Sequence, residues 1–498
     1  MSGERRRRAG VLLPLSSLPG PWGIGVMGEA AREWVRFLAS AGQRCWQILP
    51  LGPTGWGDSP YQSFSAFALS PYYVDIDTLV SEGLLTRAEA EAPTWGRSVQ
   101  AVDYGALYRK REPLLRKAFA RWNPGAAFDA FRARNAHWLR DYCLYTAIKV
   151  SEGGRPWQAW AAPLRLRDAI TLNAFEAAHG AELRFHAFVQ YQAFSQWERL
   201  RAYAAERHII IIGDMPIYAA LDSADVWSRP SLFQLDDERR PLRVAGCPPD
   251  AFARDGQLWG NPLYDWDACA AEGFDWWLSR LRTALALFDV VRIDHFKGIE
   301  SYFSIAADAP TARDGRWVKG PGLAFVDALK RAFPEGRLIA EDLGCQTPEL
   351  RALLAASGFP GMKVLQFAFD SREESEYMPY AYERNSVVYT GTHDNSTCRG
   401  WFKAAPSEDA QMARDFFGIK DDRDGPAAFI RMALASPSDT CIIPMQDWLA
   451  LDDRARINTP STLGRNWRWR LSPAAASPTL AARMRRLCAV TGRGGSSQ

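Results

Sequence analysis

Eight short apolar runs, separated by stretches with helical patterns, are the feature that most constrains how this chain of 498 residues can fold. Short apolar runs that end at polar, Gly or Pro residues are typical of strands buried in a parallel sheet. Helical patterns precede most of them, as at 30–40 and 347–356, and this alternation predicts an α/β fold. Eight strands of this kind predict a closed (β/α)8 TIM barrel. The predicted strands cover residues 10–18, 45–53, 208–217, 290–296, 338–344, 363–369, 386–395 and 440–447.

The predicted strands are unevenly spaced, which indicates insertions into one catalytic barrel over residues 1–498. The longest gap follows the second strand, and its own helical patterns predict a mostly helical inserted subdomain at 54–206. Another gap follows the third strand and is rich in Pro, Asp and Trp. It is predicted to form an elaborated, inserted loop subdomain at 218–289.

Charge, hydropathy and cysteine usage exclude several classes of protein. With 60 Lys and Arg against 57 Asp and Glu, the net charge of +3 is too balanced for a nucleic-acid partner. No uncharged apolar run is long enough to predict a membrane helix. The run that follows the basic residues 5–8 is short and interrupted by Pro14 and Pro19, so it is interpreted as a strand and not as a signal peptide. Scattered cysteines without CxxC spacing indicate a reduced, cytoplasmic protein, and we expect a monomer.

Acidic residues stand at the ends of four predicted strands. Asp214 ends the third strand, Asp294 the fourth, Glu341 the fifth and Asp394 the seventh. Because the carboxyl ends of barrel strands meet at one mouth, these side chains are expected to converge where barrel enzymes carry their chemistry. Carboxylates placed together are costly unless some are protonated, paired or functional, so the pattern predicts an active site.

Two kinds of chemistry use converging carboxylates. In metal-assisted hydrolysis, Asp and His ligate an ion, and His295 and His393 each stand beside an Asp. In glycoside bond exchange, one carboxylate attacks the anomeric carbon and a second, protonated one donates to the leaving oxygen. The first strand ends in Leu15-Ser16-Ser17, where metal-dependent barrels usually place a His pair. The glycoside interpretation also accounts for the 12% aromatic content, although composition alone favours an aromatic-rich core over a sugar-stacking cleft.

Three strand ends carry longer motifs. The segments RIDHF, AEDLG and GTHDN contain Asp294, Glu341 and Asp394 in this order, and they resemble regions of the α-amylase clan. Further segments resemble one family of that clan, the 4-α-glucanotransferases, also called amylomaltases or disproportionating enzymes. These segments span nearly the whole chain, and they are WQILPLGP at 46–53, GDSPYQ at 57–62, GDMPIY at 213–218, GCPPD at 246–250, GQLWGNP at 256–262 and NWRWR at 466–470.

The resemblance assigns roles to the three carboxylates. Asp294 would be the nucleophile that forms a covalent glycosyl-enzyme, and Glu341 would be the general acid and then the general base. Asp394 would hold two hydroxyls of the distorted sugar. Two carboxylates about 5 Å apart give retention of configuration, and one of them must be ionised while the other is protonated.

Other candidate residues surround these carboxylates. Arg292 precedes Asp294 by two residues, so both side chains are expected on one face of the fourth strand, where the guanidinium would keep Asp294 ionised. The resemblance further implies that His295 and His393 hydrogen-bond sugar hydroxyls. It also implies that Asp214 supports the sugar site without reacting.

The resemblance also implies an aromatic cleft with a lid. Tyr61 and Trp259 match sugar-stacking and loop positions of the family, and Asp370 matches a position near the donor side. The segment 246–262 resembles a loop that arches over the cleft and limits the access of water to the intermediate. Because the same intermediate reacts with water or with a sugar hydroxyl, acceptor binding would decide between hydrolysis and transfer.

Two positions depart from the family pattern. Ser396 stands where the family usually has an acid after THDN. Ser461 stands where the family has Gly, the residue that freely adopts a positive φ. Both departures bear on substrate preference and leave the three carboxylates in place.

The function implied by these residues is that of a retaining 4-α-glucanotransferase. It would move an α-1,4-glucan segment from a malto-oligosaccharide to the 4-OH of glucose or of another glucan, with no metal or cofactor. The first alternative is an α-1,4-glucan hydrolase on the same scaffold. The others are a catalytically silent glucan-binding protein, which the three carboxylates argue against, and a metal-dependent hydrolase.

Overall fold

The computed structural model describes residues 7–55, 57–249, 254–344 and 346–494, and it confirms the predicted TIM barrel. Its strands are Arg8–Leu12 (β1), Cys45–Gln47 (β2), Ile210–Met215 (β3), Val290–Ile293 (β4), Leu338–Ala340 (β5), Gly361–Val364 (β6), Ser386–Tyr389 (β7) and Thr440–Pro444 (β8). They follow one another around the sheet in chain order, all paired strands are parallel, and β8 returns to pair with β1.

The ring of strands has a seam between β5 and β6, where the described residues form no backbone ladder. Two hydrogen bonds hold this seam. The N–H of Ala340 donates to the carbonyl of Pro360 (3.0 Å), and the N–H of Met362 donates to Oδ1 of Asp342 (2.7 Å). Asp342 is 2% exposed, so its carboxylate satisfies a buried N–H that the neighbouring strand leaves without a carbonyl.

The strands are shorter than the apolar runs that predicted them. Strand β7 ends at Tyr389, whereas the run continues to Asn395 through a loop in which the N–H of Thr392 donates to the side chain of Asn395 (2.8 Å). Strand β6 begins two residues before its predicted start and is followed by the 3-10 turn Leu365–Ala368. The additional residues after β6 and β7 therefore form turns and loops at the mouth of the barrel.

The barrel interior is a packed core. Inward-facing side chains of the strands form one buried apolar cluster, and alternate residues of the same strands face a larger cluster beneath the surrounding helices. The interior cluster consists of Leu12, Cys45, Ile212, Ile339, Met362, Val364, Val387, Tyr389 and Ile442. Such filling leaves no pore, so chemistry is confined to the mouth.

Helices follow most strands, as the alternating pattern predicts. The helix after β5 begins at the predicted position, where the side chain of Thr347 accepts from the N–H of Leu350 and Pro348 is the first helical residue. All residues between β6 and β7 are described, and they form 3-10 turns but no α-helix. Outside the insertion between β2 and β3, the α-helices are Glu29–Ser40, Ala224–Ser228, Trp266–Ala271, Asp275–Leu287, Lys297–Glu300, Gly322–Ala332, Pro348–Ser357, Cys398–Ala404, Ser407–Phe417, Gly425–Ala435, Met445–Trp448 and Pro478–Val490.

The large insertion after β2 is mostly helical, as predicted. Its last helix leads directly into β3 and packs on the barrel helices Glu29–Ser40 and Asp275–Leu287, so a separate subdomain at 54–206 stays a prediction. Within the described ranges, no helix combines the length and apolarity needed to span a bilayer. The helices of the insertion are Ile76–Ser81, Arg87–Glu91, Tyr104–Arg121, Ala126–Arg134, Leu139–Ser151, Ala162–Arg165, Ala169–Ala178 and Gly180–Glu206.

The region after β3 contains regular structure that the sequence analysis missed. Strands Arg243–Cys247 and Gln257–Pro262 pair antiparallel and join Ser301–Ala306 and Arg316–Lys319 in a four-stranded sheet, which we call the accessory sheet. Two of its strands follow β4 and so lie outside the predicted insertion at 218–289. Its outer strands are partly exposed and mix polar with apolar residues, which hides them from a search for apolar runs.

Candidate active site

Three of the predicted acids leave neighbouring strands at the carboxyl end of the barrel. Asp214 lies in β3 and is in register with Arg292 of β4. Asp294 follows β4 directly and Glu341 follows β5 directly, one residue beyond the last registered pair of these strands. Because neighbouring strands are about 4.8 Å apart, the chains of Asp294 and Glu341 emerge side by side.

Arg292 lies between two carboxylates. Its Nη1 is 2.7 and 2.8 Å from the two carboxylate oxygens of Asp214 and 3.0 Å from Oδ1 of Asp294. The side chains of Arg292 and Asp214 are 5% and 0% exposed, whereas that of Asp294 is 26% exposed. The buried carboxylate of Asp214 therefore compensates the charge of the guanidinium, which also contacts the more exposed carboxyl group of Asp294.

Glu341 is held by backbone N–H groups. Its Oε2 accepts from the N–H of His295 (2.6 Å) and its Oε1 from the N–H of Leu343 (3.0 Å). Burial raises the pKa of both Glu341 and Asp294, and Arg292 opposes this rise. Two buried carboxyls resist carrying two charges, so the pair retains a proton at a pH where exposed carboxyls are ionised. The direct contact with Arg292 favours the charge on Asp294, whereas the two N–H groups favour the charge on Glu341.

Tyr61 links opposite sides of the barrel mouth. It lies in the loop after β2, its O–H donates to Oδ2 of Asp214 (2.7 Å), and its oxygen lies 2.9 Å from Nε2 of His393. Because a carboxylate accepts only and a phenol has one proton, His393 must carry its proton on Nε2. The two rings are stacked with centroids 5.3 Å apart. Burial lowers the pKa of His393 and raises that of Tyr61, so both rings are neutral at neutral pH.

Asp394 lies in the loop after β7 and its side chain is 45% exposed. Its Oδ1 accepts from Nδ2 of Asn458 (2.6 Å) and lies 3.5 Å from Nε2 of His393. Arg456 donates to the backbone carbonyl of Asp394 and, through Nη1, to Oγ of Ser396 (3.2 Å). Arg456 and Asn458 are not predicted from the sequence, because neither belongs to a recognised motif.

His295 has an unusual backbone and an unpaired ring nitrogen. Its φ is +50°, and its Nε2 is buried without a hydrogen-bond partner among the described residues. The ring of Trp259, on the accessory sheet, meets the His295 ring edge to face with centroids 5.0 Å apart, and Tyr218 lies near both. Burial lowers the pKa of His295 to about 4, so a neutral ring is available to hydrogen-bond a ligand.

The predicted lid is described in part, because residues 250–253 of the segment 246–262 lie outside the described residues. The described strand beside them is tied to the loop of Tyr61. Nε2 of Gln62 donates to Oδ1 of Asn261 (2.8 Å), whose Nδ2 donates to the carbonyl of Ala219 (2.9 Å). Gln62 and Asn261 stand within two of the motifs in the sequence, which could have identified them.

Two further predictions have different outcomes. Asp370 pairs with Arg372 (2.6 Å), and within the described ranges no hydrogen bond joins it to another candidate residue. Ser461 has a φ of +62°, so the chain keeps the left-handed turn that the missing glycine puts in doubt. Asp370 therefore takes no part in the described hydrogen-bond network around the carboxylates, and its position near the donor side stays a prediction.

The same described ranges contain no three His, Cys, Asp or Glu side chains placed to hold a metal ion. His393 is occupied by Tyr61, and the ring of His295 faces aromatic side chains. The arrangement offers a carboxyl group beside a guanidinium, a second buried carboxyl group and hydrogen-bonding rings that are neutral. These groups suit nucleophilic and acid–base chemistry on a hydroxylated substrate.

Solved structures define the class of protein. The amylomaltase from Streptococcus agalactiae in complex with acarbose is similar over 98% of this chain and 100% of that chain, with a TM-score of 0.95 and 37% identity. The amylomaltase from Corynebacterium glutamicum shares the fold at 18% identity, with a TM-score of 0.77 over 99% of this chain and 75% of that chain. The chain is therefore a (β/α)8-barrel enzyme.

Sequence comparisons define the family. The family model for 4-alpha-glucanotransferase matches residues 13–476. A 4-alpha-glucanotransferase from Thermus thermophilus is 48% identical over 98% of this chain and 100% of its own length. One from Clostridium butyricum is 43% identical over 96% of this chain and 99% of its own. The chain belongs to the 4-alpha-glucanotransferase family, which confirms the resemblance and the prediction of a glycosyltransferase-type enzyme.

Proposed function

We propose that this protein is a retaining 4-alpha-glucanotransferase that acts by double displacement through a covalent glycosyl-enzyme. The observation that carries the proposal is the pairing of Asp294 and Glu341. They emerge side by side from neighbouring strands, and Asp294 alone of the two lies within 3.0 Å of Arg292. One carboxylate is thereby kept ionised for attack, while the other keeps a proton for the leaving group.

In the first step, a carboxylate oxygen of Asp294 attacks the anomeric carbon of an α-1,4-linked glucan. The bond to the leaving 4-oxygen breaks as Glu341 gives that oxygen its proton, and a covalent glycosyl-enzyme forms. In the second step, Glu341 removes the proton from the 4-OH of glucose or of another glucan. The acceptor oxygen displaces Asp294, so the configuration is retained and the protons balance.

The remaining candidate residues bind the sugar in this proposal. Asp394 is half exposed, and its carboxylate accepts hydroxyls of the distorted ring. The buried, unpaired Nε2 of His295 gains a partner when a sugar hydroxyl reaches it, which removes the cost of an unsatisfied polar atom. Tyr61 and Trp259 offer aromatic faces to sugar rings. Arg292, paired with Asp214, places its positive charge beside Asp294.

Transfer requires that the intermediate meets a sugar hydroxyl before it meets water. The accessory sheet carries Trp259 to the ring of His295, and Gln62 joins this sheet to the loop of Tyr61 through Asn261. We propose that these contacts hold the described part of the segment 246–262 over the cleft as a lid. The rival α-glucan hydrolase would use the same carboxylates, so products must distinguish them.

The experiment is incubation of the purified protein with maltotriose alone, with products resolved by chain length and free reducing ends counted over time. Transfer yields glucose and a ladder of longer maltodextrins at a constant number of reducing ends. Hydrolysis yields glucose and maltose as the number of reducing ends rises, and this result would overturn the proposal.

The matched variants are Asp294→Asn and Glu341→Gln, which keep the shape of each side chain and remove its acid–base chemistry. Both are expected to lower turnover by at least about a thousandfold, as loss of a nucleophile or general acid does. Wild-type turnover in Asp294→Asn would contradict the covalent mechanism. A chelator control on the wild type tests the metal-dependent alternative, in which activity would be lost.

We further propose that the protein is a monomer, as expected from the sequence. Size-exclusion chromatography with light scattering would test it, and a dimer mass would contradict it.

A further inference from the structure

We propose that Asn458 is a positioning residue that fixes the carboxylate of Asp394 in the orientation that sugar binding requires. The inference rests on the proposed function, in which Asp394 holds hydroxyls of the distorted sugar. It adds a residue that the double displacement does not itself use.

The carboxylate of Asp394 is not held by packing, since the side chain is 45% exposed. Nε2 of His393 lies 3.5 Å away, beyond an ordinary hydrogen bond, and is committed to Tyr61 at 2.9 Å. Among the described residues, the side chain that does hydrogen-bond this carboxylate is Asn458, whose Nδ2 lies 2.6 Å from Oδ1 of Asp394. Its Nδ2 must be the donor, because an ionised carboxylate accepts only.

Asn458 is itself held at two further points. Its N–H donates to the carbonyl of His393 (3.0 Å), and its carbonyl accepts from Nε of Arg456 (2.7 Å). Arg456 also donates to the carbonyl of Asp394. These bonds close a ring between the loops after β7 and β8, so the Asn458 amide and the Asp394 backbone have fixed relative positions.

Ile457 anchors this segment from the other side. It is 3% exposed and packs with Leu49 and Trp467 in an apolar cluster against which Tyr61 also packs. The N–H of Trp467 donates to the carbonyl of Ile457 (2.7 Å). Alternate residues of the extended segment therefore face opposite ways, with Ile457 in the cluster and Asn458 toward Asp394.

A neutral amide is well suited to this position. It restricts rotation of the Asp394 carboxylate by holding Oδ1. Because the amide is neutral, the carboxylate keeps its charge, and its second oxygen remains available to the substrate. A misplacement of about 1 Å at a site of this kind can cost about 100-fold in rate. The effect should appear in kcat more than in KM, since Asp394 binds the distorted sugar most tightly in the transition state.

The charge around Asp394 determines how the residue can be tested. The charged and titratable groups that face it are Arg456 and His393, with Asp294 and Tyr61 acting across the cleft. An aspartate in place of Asn458 would put a second carboxyl against Oδ1 of Asp394. Such a pair shares one proton at acidic pH and repels at alkaline pH.

The test is therefore Asn458→Asp, assayed as initial glucose release from maltotriose between about pH 5 and pH 8. The protonated aspartate can donate to Asp394 as the amide does, so kcat should approach that of the wild type at the acidic end. As the shared proton is lost, kcat relative to the wild type should fall by about 10- to 100-fold with KM little changed. The ratio of variant to wild type at each pH cancels the pH dependence that both share.

The matched control is Asn173→Asp, the same substitution at an exposed position of the helix Ala169–Ala178. Its ratio to the wild type should stay near one at every pH. Thermal melts of both variants establish that they are folded under the assay conditions. A constant ratio for Asn458→Asp, at full or reduced activity, would overturn the inference, because a merely structural role has no reason to titrate.

A separate arm keeps the two proposals distinguishable. If Asp394→Asn keeps wild-type turnover, then the role of Asp394 in the proposed function is wrong whatever Asn458 does. If Asp394→Asn is inactive and Asn458→Asp follows the wild type, the proposed function stands and the positioning role fails.

Discussion

At the scale of single residues, His295 combines an unfavourable backbone with an uncommon set of contacts. A non-glycine residue at a φ of +50° costs about 1–2 kcal/mol. The conformation turns its N–H to Glu341 (2.6 Å) and places its ring against Trp259. His295 thus connects the proposed general acid, Glu341, with the aromatic side chain of Trp259. This double contact accounts for the unfavourable backbone conformation of His295.

The depressed pKa of His295 makes folding sensitive to acid. The unfolded chain binds a proton on this ring below about pH 6.5, whereas the folded ring has a pKa of about 4. Stability is therefore lost as the pH falls through this window, by about 2 kcal/mol at pH 5. We expect His295→Asn to show a smaller decrease in melting temperature than the wild type between about pH 7 and pH 5.

Asparagine suits this test because it tolerates the left-handed region. The control is His208→Asn, at an exposed position whose φ is also positive (+57°). This control should lose as much melting temperature as the wild type over the same pH range. An equal loss in His295→Asn would show that the buried ring does not resist protonation in the folded state.

At the scale of secondary structure, one side chain takes part in closing the barrel at the seam between β5 and β6. The carboxylate of Asp342 accepts from the N–H of Met362, while a single backbone bond joins Ala340 to Pro360. Gly361 makes this approach possible, since a Cβ there would lie 2.8 Å from the Asp342 carboxylate. The seam lies one residue from Glu341, so its geometry bears on the proposed proton donor.

Asp342→Ala is expected to lower the free energy of unfolding by about 1–3 kcal/mol, because it leaves the buried N–H of Met362 without a partner. Asp342→Asn keeps an acceptor oxygen and should lose less. The measurement is the melting temperature together with hydrogen exchange at the amide of Met362. Unchanged protection of that amide in Asp342→Ala would mean that the backbone alone holds the seam.

The elements differ in how far the sequence predicts them. Each of the eight barrel strands is a local apolar run, so its existence can be read from neighbouring residues, although its end cannot. Strand β7 ends at Tyr389 because the following residues bond within a loop, and composition does not show that choice. The accessory sheet is formed by strands distant in sequence, such as Arg243–Cys247 and Ser301–Ala306, and no local pattern marks them.

At the scale of the whole molecule, the site is assembled from loops at both ends of the chain. Barrel topology alone brings Asp214, Asp294 and Glu341 together, which is why the sequence could predict them. Asn458 reaches Asp394 across 64 residues of chain, and Tyr61 reaches His393 across 332. Contacts of this kind depend on the completed fold, so sequence patterns give no signal for them.

The position of the accessory sheet beside the cleft predicts that it influences the balance between transfer and hydrolysis. Trp259 lies on the strand Gln257–Pro262 of this sheet, and its ring contacts the ring of His295. The hydrogen bond from Gln62 to Asn261 joins the same strand to the loop of Tyr61. If this wall excludes water from the glycosyl-enzyme, Trp259→Ala should admit it. We expect the share of turnovers that create a new reducing end from maltotriose to rise several-fold, with a higher KM for the acceptor.

The control is Trp259→Phe, which keeps an aromatic ring against His295 and should keep the product ladder of the wild type. Reducing ends and chain lengths are measured in the same reactions, so a general loss of activity can be told from a change in its direction. If Trp259→Ala lowers both reactions equally, the wall positions sugar without excluding water. If Trp259→Ala raises hydrolysis alone, the accessory sheet is the part of the molecule that makes the three carboxylates catalyse transfer in preference to hydrolysis.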